Sequence, residues 1–302
     1  MRAADLARLI ALAAIWGASF LFARIAVPSL GAAWFTELRV ALAAIVMTLY
    51  AAAAGVRLEP GRHGRHYLFM GLLNTALPWI LYAYAANYIS ATYLGILNAT
   101  TPWFGALFGA LMLGERFTWR KGTGLAIGVV GVALVVGFGP VEVNANVILG
   151  SLACIAANIC YAMGGTYMKK RTQGIPALAM TAGSLLIATL ALLPALPGPL
   201  PLQALLDWKV AGAVLGITLL GSAAGYVLYF RLLVDVGPTK SLTVSFLIPV
   251  FAVLWGAIFL GEPVGASTVI GGVMILLATA LVLELGQRQG APQRGTIPRS
   301  HQ

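Results

Sequence analysis

Asn98 to Glu115 reads N-A-T-T-P-W-F-G-A-L-F-G-A-L-M-L-G-E, and Ser245 to Glu262 reads S-F-L-I-P-V-F-A-V-L-W-G-A-I-F-L-G-E. The second stretch follows the first at an offset of 147 residues. From proline to glutamate, 8 of 14 positions are identical: Pro102/Pro249, Phe104/Phe251, Leu107/Leu254, Gly109/Gly256, Ala110/Ala257, Leu113/Leu260, Gly114/Gly261 and Glu115/Glu262. Tyr82 and Tyr229 keep the same offset. A chain that repeats itself at this length is read as two related halves. Each copy predicts an apolar helix with proline near its centre and Gly-Glu at its end. Proline removes one backbone hydrogen bond and crowds the carbonyl four residues back. Those carbonyls belong to Asn98 and Ser245, so the copies match in position and in polarity.

Composition decides the solvent. The 302 residues are 60% hydrophobic and 9% charged, against about 45–50% and about 25% in soluble proteins. No soluble fold has the interior to hide so much apolar surface, so the expected surroundings are lipid. The net charge of +10 does not indicate nucleic acid. The basic residues sit in short loops between apolar runs, and no basic run is longer than Lys169-Lys170-Arg171. That distribution sets membrane orientation and leaves no polar domain with a basic face. Cys154 and Cys160 are six residues apart on one apolar segment, about 9 Å of helix rise, too far for a disulfide.

Ten apolar segments are long enough to span a bilayer, each about 18–24 residues. They fall near 6–27, 33–54, 67–88, 92–113, 121–138, 146–168, 177–196, 209–231, 239–260 and 264–285. The runs are continuous, not alternating, which favours helices over barrel strands. The first is longer than a signal-peptide core and carries Arg24 where a cleavage region would be, so it is read as a span. The fold class expected is an all-α membrane protein with ten transmembrane helices in two inverted-topology five-helix repeats. With the N-terminus in the cytoplasm, 16 of the 19 Lys and Arg lie inside, and only Arg24, Arg39 and Lys209 fall toward the outside. This predicts both termini in the cytoplasm. Five spans per half is an odd number, so the second half enters from the opposite side, as in secondary transporters. The expected division is 1–140 for the first repeat, 141–286 for the second and 287–302 for a polar cytoplasmic tail. The loop Pro194–Asp207, with four prolines, is expected to be stiff and extended. Four glycine pairs at four-residue spacing, Gly105/Gly109, Gly124/Gly128, Gly212/Gly216 and Gly221/Gly225, mark close helix packing.

Polar groups at membrane depth locate the candidate site. The first segment offers Trp16 and Ser19. The third offers Asn74, Thr75, Trp79 and Tyr82, and the fourth Asn98, Thr100, Thr101 and Trp103. Asn158 and Tyr161 lie on the sixth, Ser222 and Tyr226 on the eighth, and Thr243 and Ser245 on the ninth. An amide facing lipid costs several kcal/mol, so these side chains should face one another or a cavity. Any one of them can be explained as interhelical glue. Their grouping on segments 1, 3, 4 and 6, 8, 9 is what a cavity on a pseudo-two-fold axis requires. The substrate-binding set expected is Trp16, Ser19, Asn74, Trp79, Tyr82, Asn98, Trp103, Asn158, Tyr161, Tyr226 and Ser245, with hinges at Pro102, Gly105 and Pro249. Aromatic walls with a few polar groups suit a small organic solute, and an aromatic face can hold an ammonium group.

Charges within the segments are few. Glu37 and Arg39 lie in the outer part of the second and Arg24 in the outer part of the first. Glu37 and Arg39 do not face each other, so Glu37 can pair with Arg24. Structural pairing or snorkelling is the role expected of these charges, with a gate or substrate-steering role as the alternative. No basic side chain is expected at mid-depth, and no acidic one, which argues against a carboxylate proton relay. His63, His66 and His301 fall in loop or tail, so no intramembrane metal site is expected. No nucleophile elbow or phosphate loop is present, and neither catalytic residues nor a cofactor are expected.

The motifs I-W-G-A-S-F at 15–20, F-T-E-L-R at 35–39 and P-x12-E at 102–115 and 249–262 together resemble the EamA-type drug/metabolite transporter superfamily over all ten segments. The resemblance implies ten helices in two inverted repeats, transport of small metabolites, and rocking at Pro102 and Pro249. The aromatic middle resembles the amino-acid exporter branch. One departure is Cys160-Tyr161-Ala162 where the second half would match Trp16, so strict site symmetry is not expected. The function expected is alternating-access transport of a small metabolite across the cell (inner or plasma) membrane, as an amino-acid exporter or facilitator. A carrier of another solute (sugar or drug-like metabolite), a non-transporting membrane protein and an intramembrane enzyme are the alternatives. The partners expected are a small-molecule substrate and the lipid bilayer, with no nucleic acid and a monomer or weak dimer.

Overall fold

The computed structural model describes residues 3–138, 142–236, 241 and 243–283. All regular structure among them is helical. The expected tail at 287–302 lies outside the described residues, as do Arg2, Lys240, Arg288, Arg294 and Arg299 of the orientation argument.

The first helix, α1 (Ala3–Ala53), is 51 residues long. Straight, it would measure about 75 Å, more than twice a bilayer's hydrocarbon core of about 30 Å. It divides at Gly31, whose φ of 75° and ψ of 156° are not helical. Only glycine adopts that geometry without strain. The chain continues through α2 (Pro60–Gly71), a π-helical turn (Leu72–Ala76) and α3 (Leu77–Ala85). Then follow α4 (Ala91–Asn98), α5 (Thr101–Leu113) and α6 (Trp119–Gly137). After the link come α7 (Ala145–Arg171), α8 (Ala177–Leu192), α9 (Trp208–Gly216), a second π-helical stretch (Ile217–Ala224) and α10 (Gly225–Val236). The last two helices are α11 (Val244–Leu260) and α12 (Ala266–Val282).

Seven helical runs among the described residues are long and apolar enough to cross a membrane: Ala3–Ala53, Pro60–Ala85, Ala91–Leu113, Trp119–Gly137, Ala145–Arg171, Ala177–Ala195 and Trp208–Tyr229. The apolar helices α11 and α12 are shorter, at 17 residues each. Large apolar side chains such as Leu111, Val129, Leu190 and Phe259 are exposed around the outside, as lipid contact requires.

Local chemistry explains several helix ends. Ser90, Thr118, Asn144 and Asp207 accept from backbone amides at the starts of α4, α6, α7 and α9, which satisfies donors that a helix start leaves open. Two expectations change here. His63 and His66 are not in loop: Glu59 takes a left-handed conformation, Pro60 opens α2, which carries both, and His66 is buried with Nδ1 2.9 Å from Tyr167 Oη. The loop Pro194–Asp207 is not wholly extended, since 3-10 turns form at Leu193–Ala195 and Leu202–Leu206.

The packing crosses between the halves. α1 packs on α11, the second π-helical stretch and α10, while α7 packs on α5, the first π-helical turn and α3. Helices α6 and α12 meet backbone to backbone. A Cβ added at Gly131 would lie 2.9 Å from the Gly271 carbonyl oxygen, and one added at Gly271 would lie 2.6 Å from that of Gly131. Of the four glycine pairs, Gly124/Gly128 and Gly221/Gly225 are engaged at both positions, whereas Gly105 and Gly212 have open space around them.

Candidate functional site

The site is built around the interruption between α4 and α5. Pro102 opens α5 and has no N–H to offer the Asn98 carbonyl. Thr101 Oγ1 supplies a donor to that oxygen instead, at 2.7 Å. Thr100 Oγ1 donates to the Leu97 carbonyl at 2.9 Å. Asn158 reaches in from α7: its Nδ2 donates to Leu97 O at 2.9 Å and to Thr100 Oγ1 at 2.8 Å. Its Oδ1 accepts from the Tyr82 hydroxyl and lies 3.0 Å from Thr101 Oγ1. Tyr82 Oη in turn accepts from Asn98 Nδ2 at 2.7 Å. Asn158 is 0% exposed, so it braces the interruption from within, and Asn98, half-buried, is the accessible end of the network. Such a network is strong where every member is satisfied, and costly where one is not.

Aromatic side chains surround it. Tyr82 lies 5.7 Å from Phe20 and 6.2 Å from Tyr161, centroid to centroid. Trp16 lies 5.5 Å from Tyr229, and its Nε1 donates to the Gly221 carbonyl at 3.1 Å. Gly221 is inside the second π-helical stretch, where the wider turn departs from the regular backbone ladder. Phe20 packs against both the cluster containing Tyr82 and the cluster beside Trp16, and so joins the two groups. A half-swap is visible in these pairs. The first helix of each half, carrying Trp16 or Tyr161, sets its aromatic against the tyrosine of the other half's third segment, Tyr229 or Tyr82.

Trp79, Tyr161 and Tyr226 meet at a residue the sequence reading placed elsewhere. The Arg39 guanidinium carbon lies 3.5 Å from the centroid of the Trp79 ring, with Tyr161 and Tyr226 as its electrostatic neighbours. Arg39 therefore belongs to the aromatic group and does not snorkel away from it. The expected Glu37–Arg24 pair is also absent. Arg24 donates to the carbonyls of Ala86 at 2.6 Å and Asn87 at 3.2 Å. Glu37 is 5% exposed, and its Oε2 has no hydrogen-bond partner among the described residues. A charge inside an apolar segment at F-T-E-L-R was the available signal for Arg39, but its rotation toward Trp79 was not readable from it.

The remaining expected residues divide. Ser19 lies beside Gly221, and Asn74 lies against Gly164 of α7. Ser245 is half-buried in the first turn of α11. Trp103 does not join the group. It is buried between α6 and α12, where Nε1 donates to Thr279 Oγ1 at 3.0 Å and Thr279 donates to the Ala99 carbonyl at 2.8 Å. Gly128 makes room for its ring. The hinges differ too. Pro102 marks a true interruption, but α11 runs through Pro249 unbroken. The chemistry explains this: Leu247 and Ile248 stand at the offsets of Thr100 and Thr101, so no hydroxyls are there to satisfy an opened backbone.

The two Gly-Glu corners keep one geometry. Gly114 and Gly261 are left-handed, with φ of 67° and 61°. The following amides return to carbonyls within the helix, Glu115 N to Gly109 O at 3.2 Å and Glu262 N to Gly256 O at 3.1 Å, the closing bond of a glycine C-cap. The carboxylates then part company. Glu262 accepts from the amides of Ala91 and Thr92 at the start of α4, while Glu115 pairs with Lys169 at 2.6 Å. A cleft of about 490 Å³ opens beside Glu262, lined by Arg24, Tyr88, Ser90, Tyr93 and Pro263 among others.

Comparison with known proteins agrees with this architecture. The chain is 26% identical over 285 residues to the uncharacterized transporter YvbV of Bacillus subtilis (strain 168), covering 93% of this chain and 92% of that one. It is 23% identical over 282 residues to a probable terminal-alkyne amino-acid exporter of Streptantibioticus cattleyicolor, covering 93% and 94%. A solved crystal structure aligns over 93% of this chain and 96% of its own with a TM-score of 0.61 at 19% identity, and so shares the fold. The EamA-like transporter family matches residues 6–137 and again 148–284. An apolar multi-pass chain whose two halves each carry the family's pattern is thereby identified: it belongs to the EamA-like transporter family.

Proposed function

We propose that this chain is a secondary carrier working by alternating access, and that it moves a small, zwitterionic and partly apolar metabolite such as an amino acid outward across the cell (inner or plasma) membrane. The observation that carries this reading is the interrupted α4–α5 segment, held by Asn158 and ending on the half-buried Asn98 within an aromatic enclosure. Broken helices beside a binding site are the means by which transporters offer backbone and amide groups to a solute inside a bilayer.

The ten-span inverted repeat is part of the proposal. Both arms of α1, with the two 17-residue helices added to the other long runs, make ten. The swapped aromatic pairs Trp16–Tyr229 and Tyr82–Tyr161 support two halves related by an axis in the membrane plane, with repeats at 1–140 and 141–286 and both termini cytoplasmic. The π-helical turns support it as well: residues 72–76, shifted by 147, fall within Ile217–Ala224. In this reading the solute contacts are Trp16, Ser19, Asn74, Trp79, Tyr82, Asn98, Tyr161, Tyr226 and Ser245, while Asn158 and Trp103 hold the frame. The amino-acid class is supported by the name of the Streptantibioticus relative and by walls that suit a small organic solute.

Counterflow of labelled amino acids in proteoliposomes tests the function. Exchange above protein-free vesicles supports the carrier; no exchange of any amino acid, sugar or amine rejects it. Accessibility reporters at the Gly114-Glu115 and Gly261-Glu262 corners test the geometry. Labelling of both from one side rejects the inverted repeat.

A further inference from the structure

Building on the carrier reading, we infer that Arg39, laid over Trp79, is the anion-recognition point of the site, and that the transported solute carries a carboxylate attached to an apolar or aromatic body. The guanidinium carbon lies 3.5 Å from the centroid of the Trp79 ring, and a guanidinium carries its N–H donors around the edge of its plane, where a ring over its face does not occupy them. Among the described residues Arg39 has no ion pair, and its buried Nε has no hydrogen-bond partner. Its electrostatic neighbours, Tyr161 and Tyr226, are hydroxyl-bearing and not acidic. Glu37 on the same helix is two residues away, a spacing that does not bring side chains together.

A guanidinium keeps its charge at neutral pH, and a charge in low dielectric without a counter-ion is costly. Stacking on tryptophan offsets part of that cost, and a bound carboxylate would offset more, through paired N–H···O bonds that match the guanidinium fork. One arginine with tyrosine hydroxyls suits a monoanion better than a phosphate dianion. The site is also one-sided. Leu186, 39% exposed, stands at the duplicated offset of Arg39, so the second half supplies no equivalent charge at that position. A zwitterion would then bind in one orientation, its carboxylate at Arg39 and its ammonium toward the aromatic faces around Tyr82 and Asn98.

The experiment is a counterflow panel on the full chain in proteoliposomes, using L-amino acids, the matching amides, the matching decarboxylated amines and inorganic phosphate. For the best-exchanged side chain, the acid is expected to outcompete its amide and its amine at least tenfold, with phosphate inert. Arg39→Gln is expected to abolish that preference and Arg39→Lys to keep part of it, in protein of unchanged size-exclusion profile. If amides or amines exchange as well as acids, or phosphate exchanges best, the carboxylate assignment falls and the carrier reading stands. If Arg39→Gln keeps the tenfold preference, Arg39 is not the recognition point. If no solute of any class exchanges, both readings fall. Should Arg39→Gln not purify intact, the wild-type panel with Arg39→Lys decides.

Discussion

Glu262 holds the start of a helix in the other half of the chain: its carboxylate accepts from the backbone amides of Ala91 at 2.7 Å and Thr92 at 2.9 Å. These are donors that a helix N-terminus leaves open, and a carboxylate there is favoured by the helix dipole. The duplicated Glu115 makes a different bond, to Lys169, with the lysine side chain 67% exposed. One duplicated corner thus serves as a cap between halves in one copy and as a surface ion pair in the other.

Glu262→Ala is therefore expected to lower stability by about 1–2 kcal/mol, in line with the loss of a helix cap, and Glu262→Gln by less because the amide oxygen still accepts. Glu115→Ala should cost under about 1 kcal/mol, as exposed ion pairs do. Thermal unfolding of the purified variants checks the order. Gly256→Ala should resemble Glu262→Ala, since its Cβ would lie 2.4 Å from Glu262 Oε2 and force the carboxylate away.

The Asn158 brace predicts a coupled pair. Asn158→Ala leaves the Leu97 carbonyl, Thr100 and Tyr82 with fewer partners, and should destabilise by about 1–3 kcal/mol. Tyr82→Phe should cost less. Because both belong to one network, the double variant should lose less than the sum of the two. Additive losses in a double-mutant cycle would show that the network does not act as a unit.

Trp103 is expected to affect the frame and not the solute. Trp103→Phe and Thr279→Val remove the bond from Nε1 to Thr279 Oγ1, and both should lower the melting temperature while leaving the half-saturation concentration for exchange unchanged. Gly128→Ala should be worse, since its Cβ would fall 2.2 Å from the Trp103 ring. A shift in half-saturation without a shift in melting would place Trp103 back among the solute contacts.

The two prolines should respond in opposite ways. Pro249 sits inside an unbroken helix, so Pro249→Ala restores an amide to the Ser245 carbonyl and should stabilise by about 1 kcal/mol, a net bond's worth, less the ring packing lost. Pro102 occupies the first turn of α5, where a missing N–H costs little, and Thr100, Thr101 and Asn158 satisfy the interruption around it. Pro102→Ala should change stability little. Equal responses in thermal unfolding would contradict the asymmetry between the two helices.

Legibility in the sequence followed the range of the forces involved. Apolar runs and local end chemistry act over a few residues, so the segment expected at 121–138 is found as Trp119–Gly137, and the Gly-Glu corners close both helices at the duplicated positions. The candidate polar and aromatic residues could be gathered by segment, and Tyr82, Asn98, Asn158 and Tyr161 do meet. The π-helical turns carried no signal in residue type.

By itself the sequence determined the solvent, the duplication and the positions where helices end, because burial of apolar runs and turn chemistry are properties of neighbouring residues. Only the tertiary structure decided how each helix is rotated about its axis. A segment apolar on all sides has no preferred face, so nothing local tells Trp103 to pack beside Thr279, Arg39 to cover Trp79 or Asn158 to brace the opened turn. Those choices belong to the partner each side chain finds across the helix interface, where an unsatisfied polar group is costly and one arrangement satisfies several at once.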